Sequence, residues 1–133
     1  MSKIKVIPCS GIGKVFGLLA RESVLMVIEE RLPNETETLC LAQVVTGDDE
    51  VMSKIQGNRC ITMDGCAKSC TKKSIEAAGG EVVHSYKVSD FMKAHRGENH
   101  GTGSFLTEDG WKYVNELADI MEKAAIEMQE EVR

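Results

Sequence analysis

The sequence predicts an α/β fold: a small, layered, open sheet of about three or four mostly parallel strands, flanked by helices and followed by a long C-terminal helix. Three observations carry this. Short β-branched runs alternate with longer stretches at helical spacing, the pattern of parallel strands joined by right-handed crossovers. Glycine-rich turns punctuate those runs. The 133 residues are 42% apolar, enough to fill a core, while a 28% charged fraction keeps the surface hydrated. No internal repeat, low-complexity tract or linker divides the chain, so residues 1–133 are expected to form a single domain.

The first strand is Ile4–Ile7, which passes into the turn Pro8-Cys9-Ser10-Gly11-Ile12-Gly13. Apolar residues then recur at helical spacing from Lys14 to Arg31 (Val15, Leu18, Leu19, Leu25, Ile28), and Pro33-Asn34 ends the pattern. Asn34 with Glu37 resembles a capping box, predicting a helix over Glu35–Thr46 closed by Gly47. The alternation Leu39, Leu41, Gln43, Val45 fits a strand equally well, and periodicity does not decide between them. Asp48-Asp49-Glu50 opens a short helix to Ile55, which Gln56-Gly57-Asn58 breaks. Arg59–Met63 reads as the second strand and Asp64-Gly65 as a tight turn. Cys66–Ala78 reads as a helix ended by Gly79-Gly80. Glu81–Val88 is the third strand, with His84 on one face alongside Val82 and Tyr86. A short helix to Ala94 leads into the aperiodic loop His95–Ser104. A long helix then starts at Thr107, its stripe formed by Trp111, Val114, Ala118, Met121, Ala125 and Met128. This order is Rossmann-like in arrangement.

Charge narrows the function. Lysine and arginine number 16 against 21 aspartates and glutamates, a net charge of −5, which argues against a nucleic-acid partner. The amino-terminal residues lack the features of a secretory signal. The most apolar stretch, Val15–Ile28, is interrupted by Arg21 and Glu22 and closed by Glu29, Glu30 and Arg31, so membrane insertion is not expected. A cytoplasmic location is the expectation.

Five cysteines are the unusual feature. Their odd number cannot pair internally, and a core of this size needs no disulfides, so a bound metal or a reactive thiol leads. Cys9 follows the first strand. Cys66 follows the second, in the predicted first turn of a helix where the dipole favours a thiolate, and Cys70 lies four residues on, on the same face. Loops at the carboxyl ends of neighbouring parallel strands share a crevice, which would bring these segments together. Cys40 lies in the crossover between the two strands, and at the same edge it would complete a four-thiolate cage suited to zinc or to an iron–sulfur cluster. Cys60, inside a strand, belongs to the packed core. Asp64 is either a turn residue only or an acceptor for backbone N–H groups near Cys66, with Gly65 making the turn.

Other constellations fit less well. His95 and His100 with Cys66 and Cys70 would make a two-cysteine two-histidine site, but a whole strand and helix intervene where a finger has a short linker. Ser10-Gly11-Ile12-Gly13-Lys14 after Cys9 lacks the arginine of a phosphatase loop, Val15 standing in its place. Nor do these residues match a Walker loop, and Gly11, Gly13 and Gly17 lack the dinucleotide spacing.

Ile61-Thr62-Met63-Asp64-Gly65-Cys66 followed by Cys70 resembles the central Asp-Gly-Cys motif of the DGC domain family, small proteins to which a zinc site of four chelating cysteines is ascribed. Pro8-Cys9-Ser10-Gly11 and Cys40-Leu41-Ala42 are similar to that family's other cysteine segments, and the likeness runs from about Lys3 to Asp90. It implies Cys9, Cys40, Cys66 and Cys70 as ligands. Cys60 and the His95–His100 loop depart from it. A closed four-thiolate zinc has no open position, which suggests a binding module with a sensing, metal-handling or protein-docking role rather than an enzyme. Its partner would be a protein not identifiable from sequence. The alternatives are an oxygen-sensitive 4Fe–4S protein in redox sensing or electron transfer, and a thiol redox enzyme in which Cys66 attacks and Cys70 resolves.

Overall fold

The computed structural model describes residues 3–9, 15–39, 41–65, 69–95, 101–102 and 105–132. Among these residues four parallel strands, β1 (Ile4–Pro8), β2 (Thr36–Glu37), β3 (Arg59–Asp64) and β4 (Glu81–Lys87), lie in the order β2-β1-β3-β4. The helices are α1 (Val15–Met26), continued by a π turn over Val27–Arg31, then α2 (Leu41–Thr46), α3 (Asp49–Ile55), α4 (Cys70–Ala77), α5 (Val88–Phe91), with a 3₁₀ turn over Met92–His95, and α6 (Glu108–Val132).

Alternation along the strands divides the core in two. Ile4, Val6, Ile61 and Met63 point to one face, where α1 and α6 cover them with Leu19, Val24, Val114, Leu117 and Met121. Ile7 and Cys60 point to the other, against Val44, Val51, Ile55 and Ile75 of α2, α3 and α4. The chain runs outward from β1 to β2, then returns past β1 to β3. Right-handed crossovers in opposite directions put their helices on opposite faces, as the two clusters record.

The expected helix over Glu35–Thr46 is corrected: Thr36 and Glu37 form β2, and the helix begins only at Leu41. Asn34 and Glu37 make no capping box, because the Glu37 carboxylate reaches the buried Lys5 ammonium at 2.7 Å in the neighbouring strand. Lys5, 4% exposed, also donates to the Lys3 carbonyl at 2.9 Å. The alternative strand over Leu39–Val45 is likewise not formed, since α2 occupies Leu41–Thr46. Lys5 holds Glu37 below the usual carboxylate range, so this pair stabilises the fold above that range and ceases to do so as Glu37 protonates on acidification. Glu37→Gln is therefore expected to lower stability at neutral pH. Urea titrations below the usual carboxylate range should show that difference closing.

Two further expectations shift. A register irregularity between Cys60 and Ile61 sets Val82 opposite Cys60 and His84 opposite Ile61, so Val82 packs with the α2–α4 cluster while Tyr86 packs with the α1–α6 cluster. On α6, Val114, Ala118, Met121, Ala125 and Met128 are buried as predicted, but Trp111 is 45% exposed. Tyr113 heads the buried face instead, packed edge-on against Phe91 of α5. No helix among the described residues is long and apolar enough to cross a membrane.

Candidate metal centre

The strand order reverses between β1 and β3, and in open parallel sheets the crevice beyond the carboxyl ends of such a pair is where ligands bind. Cys9 stands there, one residue past β1, its backbone N–H donating to the Met63 carbonyl at 2.9 Å and so continuing the β1–β3 ladder. The Gly65 N–H, at the end of β3, donates to Cys9 Sγ at 3.2 Å. A donor aimed at sulfur favours negative charge on it. The first turn of α1 closes over the same point. A methyl group placed on Gly65 would lie 3.1 Å from the Gly17 nitrogen, 3.2 Å from the Phe16 carbonyl carbon and 3.3 Å from Cys9 Sγ. Gly17, met in sequence as part of a glycine run, thus takes part in a close helix-to-loop approach.

The predicted helix over Cys66–Ala78 is corrected to Cys70–Ala77. Ser69 has φ 54°, the one positive φ at a non-glycine residue among those described, and a left-handed residue cannot lie inside a right-handed helix. Cys70 is therefore itself the first residue of α4, while the expected stacking of Cys66 with it on one helix face falls outside the described residues. The Ser69 side chain makes no cap. The cap comes from Asp64, 1% exposed, whose carboxylate accepts from the backbone N–H of Thr71 at 2.8 Å and of Lys72 at 3.3 Å. One aspartate thus ties the end of β3 to the start of α4, placing negative charge where the helix dipole favours it.

Cys9 is half-buried and Cys70 exposed, while Cys60 is fully buried in β3 against the α2–α4 cluster. Burial pushes the Cys60 thiol up to about 11, against an opposing pull from Lys5. It behaves as core, apart from the crevice. Of the expected ligands, Cys40 and Cys66 lie outside the described residues, as do the side chain of His95 and all of His100. Among the described residues, no three histidine, cysteine, aspartate or glutamate side chains are grouped to hold a metal ion. What is described is the frame on either side of Cys66: Gly65 bonded to Cys9, and Cys70 opening α4.

A parallel α/β fold with a cysteine at its switch point, facing the Asp64-Gly65 end of the strand that caps the next helix, defines a small thiol-bearing domain. The DGC domain model matches residues 5–112, and the chain belongs to the DGC domain family. No curated protein and no solved structure matches it significantly.

Proposed function

We propose that the protein binds a metal ion, zinc, through Cys9, Cys40, Cys66 and Cys70 at the carboxyl edge of the sheet, in a sensing, metal-handling or protein-docking role. The observation that carries this is the 3.2 Å bond from Gly65 N–H to Cys9 Sγ. It joins two cysteine segments far apart in sequence at one crevice and supplies the backbone donor that a metal-bound thiolate uses. The donor set fits a tetrahedral zinc, which takes cysteine sulfurs readily. The same sulfurs suit a 4Fe–4S cluster, so the metal is to be identified directly.

The test is anaerobic purification followed by elemental analysis and a visible spectrum. The expected result is a colourless protein with about one zinc per chain. Replacing any one of the four cysteines by serine should remove most of the metal, and Cys60→Ser should leave it in place. A brown protein containing iron replaces zinc by the cluster. Metal retained in both Cys9→Ser and Cys70→Ser, or lost in His100→Ala, overturns the ligand set.

A further inference from the structure

The two edges of the sheet differ. β2 is two residues long and offers little to pair with, whereas β4 runs for seven residues, Glu81–Lys87. Short edges, prolines and charged residues along the strand are the usual protections against edge pairing. β4 has no proline, and its charges stand only at its two ends, leaving Val82-Val83-His84-Ser85-Tyr86 uncharged. In doubly wound sheets whose order begins 2-1-3-4, a fifth strand continues beyond the fourth. Here the chain leaves β4 through α5, and α6 packs on the face that α1 covers. Among the described residues no strand pairs with the outer side of β4.

The charges at the ends of β4 are opposite in sign: Glu81 begins it and Lys87 ends it. Antiparallel pairing with an identical strand sets each acidic end beside a basic end, twice over, because a two-fold axis repeats every contact. The register irregularity near Val83 does not interrupt the strand, since His84, Ser85, Tyr86 and Lys87 continue in step with β3 and the half-buried Val83 packs toward the α1–α6 core. The His84 and Tyr86 rings, parallel with centroids 6.0 Å apart, lie along the same strand.

We propose that β4 is a homodimer interface, pairing antiparallel with β4 of a second copy about a two-fold axis beside His84 and joining the two sheets into one. Glu81 then faces Lys87 of the second copy at both ends of the pairing.

The test is sedimentation velocity on the full chain over a concentration series, in reducing buffer at low salt. The expected result is a concentration-dependent dimer. Glu81→Lys and Lys87→Glu should each weaken it by about tenfold, since two cross-strand attractions become repulsions. The double variant Glu81→Lys/Lys87→Glu should restore it. Glu50→Lys, an exposed charge change on α3, should leave it unchanged. A chain that stays monomeric at every concentration overturns the proposal and leaves the edge to a strand of another protein. A dimer indifferent to the single variants, weakened equally by Glu50→Lys, or not restored in the double variant, places the interface elsewhere and also overturns it.

Discussion

Asp64→Ala is expected to lower the unfolding free energy by about 2–3 kcal/mol, read from urea denaturation of the purified protein. Two backbone donors, Thr71 N and Lys72 N, lose their acceptor in a place where Asp64 is 1% exposed and water is a poor replacement. Removing a buried carboxylate recovers some desolvation energy, which keeps the loss below the sum of two charged hydrogen bonds. Asp64→Asn retains one acceptor oxygen, but its amide nitrogen cannot accept the second N–H, so an intermediate loss of about 1–2 kcal/mol is expected. The same substitutions release the start of α4, where Cys70 sits. Under the proposed ligand set, zinc affinity should therefore fall by about tenfold to a hundredfold in Asp64→Ala, measured by competition with a chromophoric chelator. Unchanged affinity alongside lost stability would limit Asp64 to a structural role.

Gly65→Ala is expected to cost about 1–3 kcal/mol, and Gly65→Val more. Two of the three atoms that the new methyl group meets, Gly17 N at 3.1 Å and Phe16 C at 3.2 Å, belong to the backbone of α1 and cannot rotate away. The third is Cys9 Sγ. Relief requires α1 to move off the end of β3 or the loop to lift from Cys9, and the second movement lengthens the N–H to sulfur bond. Thermal denaturation of the metal-free protein reads the packing cost by itself, and metal content after anaerobic purification reads the effect on Cys9. If the metal-free variant unfolds with the wild type, the close approach at Gly65 carries no packing strain and does not hold α1 against the end of β3.

Repetition within a segment was legible in the sequence. The apolar spacing along α6, the acidic start of α3 and the β-branched character of β1 and β4 are local signals, each complete within one segment, and each element lies where the pattern put it, to within a few residues. Cys60 was legible as core for the same reason, because its neighbours alternate within one strand. β2 was not legible: two residues are too few to show a period, and Thr36 and Glu37 are extended only because β1 lies beside them. The start of α4 was misplaced because no sequence signal marks Ser69 as left-handed, and because the capping residue is not adjacent to the helix but six residues before Cys70.

The sequence therefore determines the class of fold, the parallel crossovers and the cysteine inventory, since these follow from periodicity, turn residues and composition. It also carries the Asp-Gly-Cys motif by which the family is known. That the Gly65 amide meets the Cys9 sulfur 56 residues away had to come from the tertiary structure, through the pairing of β1 with β3 and the reversal of strand order between them. That pairing is a contact between distant segments, stabilised by two cores on opposite faces of the sheet. No single stretch of chain contains the interactions that select it.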